Sequence, residues 1–218
     1  MEEIVEAIAQ NFAEKNTERE RALALSREVI RSSANAIRAV HRGEMERAAE
    51  LLRAAGKAVA EAGSRLQPHP DIYYAGFIHD AQKEYAEASI TDAIIRGAAL
   101  PAPEDLHVGY AAYLNGLGEA VGEMRRYILD YLRRGELSRC EGLLQVMDDI
   151  YSLLVTIDYP DAMTGGLRRT TDVARGILEK TRGDLTVAAR QYQLEETLRQ
   201  FEARLARPDA PPAGQPVR

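Results

Sequence analysis

Two stretches of the chain place carboxylates at helical spacing. In the first, Asp80, Glu84 and Glu87 follow one another by four and three positions, which puts them on one face of a helix. In the second, Glu119 and Glu123 lie four positions apart and also share a face. Carboxylates that converge from two adjacent antiparallel helices would form an oxygen-rich pocket, the environment that Mg²⁺ or Mn²⁺ prefers. The spacing is therefore compatible with a divalent-metal site. Such pairs are common on solvated helix faces, and spacing alone favours that simpler interpretation.

The second stretch is also rich in glycine. Each glycine inside a helix costs roughly 1 kcal/mol of helix propensity relative to alanine. The run therefore predicts either close helix packing or open room beside the carboxylates, and the sequence leaves both open. The glycines are Gly109, Gly116, Gly118 and Gly122.

A stripe of arginines follows one side of the first predicted helix. Arg27, Arg31, Arg38 and Arg42 are spaced by four, seven and four positions, beside an apolar stripe. Arginine outnumbers lysine by 24 to 4 in the whole chain, and guanidinium groups bind phosphate through two hydrogen bonds at once. The stripe predicts either pairing with acidic helices or contact with a phosphate backbone, and spacing alone does not separate these uses.

Composition excludes several classes of protein. The single cysteine, Cys140, allows neither an internal disulfide nor a CxxC zinc site, which predicts a reducing, cytoplasmic compartment. No apolar run approaches the ~20 residues needed to cross a bilayer, so we expect no membrane association. A net charge of −6 argues against a protein that coats DNA through a generally basic surface. The four histidines lack paired HxxxH or ExxH spacing, so we expect surface or helix-end residues rather than a di-iron bundle.

Prolines and glycines divide the chain into helical segments. Between them, apolar residues recur every three or four positions and strand-like alternation is absent. Thr17 and Glu20 fit an N-capping box, which predicts a break in the first helix near Asn16–Thr17. The pattern predicts one all-α domain over residues 1–207, an antiparallel bundle of six or seven helices, and a disordered Pro-rich tail over 208–218. The predicted helices are 3–42, 44–66, 70–98, 104–134, 136–158 and 162–207.

Four segments resemble signatures of the translin and translin-associated factor X (Trax) family, in the same order. They are RALALSREVIR from Arg21, FIHDAQKEYAEA from Phe77, YLNGLGEAVGEMR from Tyr113 and LEKTRGDLT from Leu178. They are distributed along most of the range 18–195, and in combination they are far more specific than any one segment alone.

The resemblance implies a fold and an activity. Translin-family proteins are seven-helix bundles that assemble into hollow, mostly octameric shells and bind single-stranded RNA or DNA. The Trax branch supplies a Mg²⁺-dependent endoribonuclease, whereas translin itself lacks the complete acidic set. By position in the matching motifs, the Trax catalytic carboxylates fall on Glu84, Glu87, Glu119 and Glu123. Glu119 stands where the family usually carries Asp, so the charge is kept on a longer side chain.

Because Glu84 and Glu87 are both present, the chain resembles Trax rather than translin. We therefore expect a prokaryotic, archaeal-type homolog that forms a homo-oligomer, by the family pattern an octamer. Its expected function is binding of single-stranded RNA or DNA with endoribonuclease cleavage of single-stranded RNA. In this interpretation the four carboxylates hold one or two Mg²⁺ or Mn²⁺ ions that activate a water, and Arg27 and Arg31 contact phosphate.

Two other functions stay open at this point. One is a non-catalytic shell that binds single-stranded nucleic acid, with the carboxylates in a structural role. The other is an all-α nucleotide pyrophosphohydrolase, a class that also binds Mg²⁺ through an ExxE pair and a second acidic pair, although the translin-like signature from Leu178 argues against it. In each case the segment 162–207 has more apolar length than one small bundle needs, so we expect part of it to form subunit interfaces.

Overall fold

Long helices account for most of the described chain. A computed structural model gives the structure of residues 1–205, and the predicted disordered tail, 208–218, lies outside these residues. No strand occurs within residues 1–205, which confirms the all-α class. Six helices of this part are long and three are single turns. In chain order they are α1 (Glu2–His41), α2 (Met45–Leu66), α3 (Pro70–Tyr73), α4 (Gly76–Arg96), α5 (Pro103–Leu106), α6 (Tyr110–Arg134), α7 (Leu137–Val155), α8 (Asp161–Thr164) and α9 (Leu167–Leu205).

The single-turn helices lie at the breaks marked by proline. Pro70 and Pro103 occupy the first position of α3 and α5. Proline suits this position because its φ is already helical and its missing N–H would have no partner there. Pro160 directly precedes α8. These prolines therefore mark the beginning of short helices as well as the end of long ones.

Three predicted helices are wrong in extent because each contains a turn. Within 70–98, residues 74–75 separate α3 from α4. Within 104–134, α5 ends before His107, whose φ of 54° is left-handed and cannot continue a right-handed helix, and α6 begins at Tyr110. Within 162–207, Gly165 and Gly166 take positive φ angles and redirect the chain between α8 and α9.

The predicted break near Asn16–Thr17 is also wrong. Helix α1 runs without interruption through these residues. The Thr17 hydroxyl donates to the carbonyl oxygen of Ala13 at 2.9 Å, so its side chain bonds back onto the preceding turn and does not cap a new helix.

Helices α4 and α6 form the centre of the bundle. Helix α6 packs on α4, α7 and α9, while α4 also packs on α1 and α2. The largest core cluster joins all of the long helices, with Ile90 from α4, Val121 and Met124 from α6, Met147 from α7 and Leu178 from α9. The two-residue connection between α6 and α7 makes these helices antiparallel, as predicted.

The outer ends of α1 and α9 carry exposed apolar side chains. Burial in α1 begins at Ala22, and the last buried residue of α9 is Leu185. Beyond these points several large apolar side chains are more than half exposed, among them Ile4, Phe12, Leu198 and Phe201. Both ends therefore project past the core with apolar surface that the described chain does not cover. None of the described helices is long and apolar enough to span a bilayer.

Candidate functional site

The site begins where the backbones of α4 and α6 touch. A Cβ placed on Gly116 of α6 would lie 2.7 Å from the carbonyl oxygen of Lys83 and 2.8 Å from the amide nitrogen of Glu87. Both distances are far below van der Waals contact, so only glycine permits this approach. One turn further along α6 lies Glu119. Of the two explanations for the glycine-rich stretch, close packing therefore holds at Gly116.

Three carboxylates meet beside this contact, and we call them the acidic cluster. Glu84 and Glu87 of α4 and Glu119 of α6 each offer one carboxylate oxygen, and these oxygens lie within 4.8 Å of one another. Three oxygen donors at this separation can converge on one small hard cation with modest side-chain rotation, because Mg²⁺ binds oxygen ligands at about 2.0–2.1 Å. The residues present therefore fit the divalent ion that the sequence predicts.

The charge of the acidic cluster is poorly compensated. Several effects together raise the pKa of Glu87 from its ordinary value of 4.5 to about 8. Burial is the largest, the charges of Glu119, Glu84 and Glu123 add to it, and Lys83 opposes them. Burial also raises the pKa of Glu84, opposed by Lys83 and reinforced by Glu119 and nearby acids. Half-buried carboxylates at close range resist ionisation together unless a cation joins them. The metal-free cluster therefore retains a proton on Glu87 at neutral pH.

Lys83 lies within the acidic cluster. Its Nζ is 2.8 Å from Oε1 of Glu119 and 4.0 Å from Oε1 of Glu84. This residue was not among those predicted from the sequence. Lys83 lies four positions before Glu87, which places the two on one face of α4, and this spacing could have indicated it.

Glu123, the fourth predicted carboxylate, has a different partner. It forms a short hydrogen bond with Nε2 of His41, and Arg126 lies 3.8 Å away. The His41 ring is stacked on Tyr127 with the ring centroids 4.5 Å apart, and its side chain is only 5% exposed. His41 is thus a helix-end residue, as expected, but it is buried rather than on the surface. The structure brings together three of the four predicted carboxylates, and a metal-binding role for Glu123 stays a prediction.

A cleft of about 650 Å³ opens beside the acidic cluster. One wall carries Lys83, Glu87 and Glu119, and Arg169 of α9 contributes to the other. Asp80 also lines this cleft, although it lies outside the group of three converging carboxylates. No sequence signal singled out Arg169, because only the turn between α8 and α9 brings it to the cleft.

Asn115 ties the two walls of the cleft together. Its Nδ2 donates to the carbonyl oxygen of Thr164 at 2.8 Å, and its Oδ1 accepts from the hydroxyl of Thr170 at 2.6 Å. At Gly165, where φ is 61°, an added Cβ would lie 2.8 Å from Nε2 of His79. Glycine here lets the turn approach His79, so the far wall has a defined position relative to α4 and α6.

Arg27 and Arg31 lie apart from the cleft. Both are exposed on α1, and neither forms a salt bridge with any residue of the described range 1–205. Next to them along the helix, Ser26 and Val29 face the core. Their guanidinium groups are thus available to an external anion, and their predicted contact with phosphate stays a prediction.

Comparisons with known proteins find chains that are similar to this one in sequence and in fold. No protein-family model matches the chain. An uncharacterised protein of Methanocaldococcus jannaschii is 30% identical over 197 residues, which is 89% of this chain and 87% of that protein. AfC3PO in complex with duplex RNA is 35% identical, with a TM-score of 0.79, over 85% of this chain and 96% of the solved one. AfC3PO alone gives a TM-score of 0.78 at the same identity and coverage.

A more distant structure, apo-NeC3PO, has a TM-score of 0.77 at 20% identity, over 84% of this chain and 96% of that one, and supports the fold alone. The similarity to AfC3PO runs through nearly the whole of that protein and is accompanied by the acidic motifs on α4 and α6. These helices carry two of the four segments that resemble the translin and Trax family, and α1 and α9 carry the other two. The chain belongs to the translin/Trax-like family that includes the C3PO proteins.

Proposed function

We propose that this protein binds RNA and cleaves it as a metal-dependent endoribonuclease. One observation carries the proposal: Glu84, Glu87 and Glu119 converge to within 4.8 Å in a chain that is 35% identical to AfC3PO, which was solved in complex with duplex RNA. A convergent set of three carboxylates with one lysine as its partner has a high electrostatic cost, which the binding of a divalent ion would offset.

Within this function the acidic cluster holds Mg²⁺ or Mn²⁺ through Glu84, Glu87 and Glu119. When bound, the ion would stabilise the negative charge of the phosphodiester as a Lewis acid and would activate a water for hydrolysis. The cleft beside the cluster admits the RNA backbone. Arg169, exposed on its far wall, is placed to bind a phosphate oxygen opposite the carboxylates.

RNA binding away from the cleft would rest on exposed arginines. Arg27 and Arg31 lie one turn apart on the outer side of α1, a spacing that suits successive contacts with a phosphate backbone. Contacts of this kind are independent of base sequence and weaken as salt concentration rises. Double substitution of Arg27 and Arg31 by alanine should therefore lower RNA affinity and reduce its salt dependence, whereas Arg47→Ala, which removes a guanidinium paired with Glu50, should leave both unchanged.

The functional unit in this proposal is a homo-oligomer, an octamer as in the family pattern. The exposed apolar side chains at the outer ends of α1 and α9 favour burial between subunits, since contiguous exposed apolar surface is typical of interaction sites. Light scattering tests this point directly. A particle of about 24 kDa at micromolar concentration, the mass of one chain, would contradict it.

A cleavage assay tests the catalytic proposal. Purified protein is incubated with end-labelled single-stranded RNA and, separately, duplex RNA, in Mg²⁺ and in excess EDTA. We expect Mg²⁺-dependent cleavage of single-stranded RNA that EDTA and Glu87→Ala both abolish, with RNA binding retained. Glu141→Gln, which neutralises an exposed glutamate on α7, is the matched control and should cleave as the wild type does.

Each other outcome identifies a different function. Binding that persists in EDTA without any cleavage would favour a non-catalytic shell. Hydrolysis of free nucleoside triphosphates with intact RNA would favour a nucleotide pyrophosphohydrolase. Cleavage of RNA at the wild-type rate by Glu87→Ala would remove the acidic cluster from the mechanism.

A further inference from the structure

The acidic cluster contains a cation of its own, the ammonium group of Lys83. Within residues 1–205, Lys83 is the salt-bridge partner of both Glu84, at 4.0 Å, and Glu119, at 2.8 Å. Its side chain is 21% exposed, less than that of either carboxylate. A lysine buried to this extent between two acids differs from the mobile lysines of a protein surface, whose ion pairs contribute little.

The position of Lys83 is fixed by the helix contact beneath it. Its carbonyl oxygen is one of the atoms that come so close to Gly116 that a Cβ there would be 2.7 Å away. The side chain therefore starts where α4 and α6 touch, and Glu119 lies three residues beyond Gly116 on α6. The same backbone contact that brings the carboxylates together thus brings the ammonium among them.

The charges indicate how many ions the cluster can hold. With Glu84, Glu87 and Glu119 ionised, the Lys83 ammonium leaves two negative charges, which one divalent cation balances. A second divalent ion would leave a positive excess in a half-buried site and would also repel the ammonium. Glu123 is hydrogen-bonded to His41 and is not one of the three converging carboxylates, so it is not included in this count.

We infer that Lys83 is a built-in counter-ion that limits the acidic cluster to one divalent ion per subunit and weakens the binding of that ion. The inference rests on the proposed metal site and adds the number of ions and the residue that controls it. In the metal-free protein the ammonium takes part of the cation's place beside Glu119. Metal binding then requires this ion pair to loosen.

Calorimetric titration with Mn²⁺ alone tests the inference on the full-length chain. We expect one Mn²⁺ per subunit for the wild type. Lys83→Met keeps the length of the side chain and removes the charge, so it should bind the first Mn²⁺ at least about tenfold more tightly and admit a second. Lys83→Arg, which keeps the charge, should retain one ion, and Lys180→Met, at an exposed lysine of α9, should match the wild type.

Thermal unfolding in EDTA and in Mn²⁺ supplies an independent measurement. Without metal, Lys83→Met should melt below the wild type because the carboxylates lose their counter-ion, and Mn²⁺ should raise its melting temperature more than that of the wild type. Lys83→Gln gives the same comparison if the methionine variant does not fold.

The outcomes separate this inference from the proposed function. Two Mn²⁺ per wild-type subunit, or unchanged affinity and stoichiometry in both neutral variants, would overturn the role of Lys83 while leaving the metal site intact. If only the neutral variants bind Mn²⁺, the counter-ion role holds and the metal-dependent function fails. If no form of the protein binds Mn²⁺, both are overturned.

Discussion

Glu119 and Glu123 lie one turn apart on α6, yet their surroundings differ. Glu119 faces α4, where Glu84 and Glu87 add two more carboxylates and Lys83 supplies one positive charge. Glu123 faces the end of α1, where the buried His41 ring bonds its carboxylate.

The difference comes from the neighbouring helix and not from the residue itself. Beside Glu119, burial and the excess of negative charge together raise the pKa of Glu87 to about 8. Around Glu123 a hydrogen-bonded and stacked histidine satisfies the carboxylate. The first region favours binding of an external cation, whereas the second is complete without one. One turn of helix therefore separates a site suited to a ligand from one that links α6 to α1.

The largest expected effect compares the two carboxylates directly. Glu119→Gln should abolish RNA cleavage. It should also lower Mn²⁺ affinity by more than about 10–100-fold, the loss expected when a residue that only hydrogen-bonds to a metal ligand is removed. Glu123→Gln should lower Mn²⁺ affinity less, because its carboxylate is bonded to His41. Calorimetry and the cleavage assay measure both. Equal losses in the two variants would show that Glu123 leaves His41 and completes a four-carboxylate site.

The second prediction concerns pH. The pKa of Glu87 is raised to about 8 from an ordinary value of 4.5. Between these two pH values the folded metal-free protein therefore holds a proton on Glu87 that the unfolded chain has released. The contribution of Glu87 to the free energy of unfolding should therefore be largest below pH 4.5. It should fall by up to about 1.4 kcal/mol per pH unit as the pH rises towards 8. Urea unfolding in EDTA at several pH values measures this slope.

Glu87→Gln should remove that dependence, since glutamine stays neutral throughout the range. Glu141→Gln is again the control and should keep the wild-type slope. If Glu87→Gln and the wild type show the same pH dependence, Glu87 is not the source of the change in the free energy of unfolding. The contrast with the Glu123 region then loses its electrostatic basis.

The third prediction compares two glycines of α6. Gly116→Ala should destabilise the protein by about 1–3 kcal/mol, because the added Cβ meets backbone atoms of Lys83 and Glu87 that cannot move aside. It should also weaken Mn²⁺ binding by separating Glu119 from α4. Gly122→Ala has only a side-chain carbon of Ile177 nearby, at 3.9 Å, and should be neutral or stabilising by up to about 1 kcal/mol. Thermal unfolding that ranks the two variants the other way would contradict the close contact.

The smallest expected effect on metal binding is at His41. His41→Ala removes the partner of Glu123 and the ring stacked on Tyr127, so it should cost about 1–3 kcal/mol of stability. Because His41 touches none of the three clustered carboxylates, Mn²⁺ affinity should change less than in Glu119→Gln. A loss of Mn²⁺ binding as large as that of Glu119→Gln would join the two regions into one site.

The amino-acid sequence by itself determined the six long helices and the shared faces of the carboxylates. Apolar residues at three- and four-residue intervals are a local property of the chain, and they place Glu84 and Glu87 on one side of α4 whatever packs there. The family motifs added which carboxylates belong together, and the structure brings three of the four within 4.8 Å. The sequence pattern did not predict α3, α5 and α8 as separate helices, because proline is compatible both with the end of one helix and with the first turn of the next.

Only the tertiary structure decided which neighbour each carboxylate has. The close approach at Gly116 brings α4 against α6 and encloses Lys83 with Glu119, while the end of α1 brings His41 to Glu123. These partners lie 36 and 82 positions apart in the chain. Helical periodicity specifies which way a side chain faces on its own helix. The charge and burial it meets depend on the helix that packs against it, and these set the pKa of Glu87 and the suitability of the cluster for a cation.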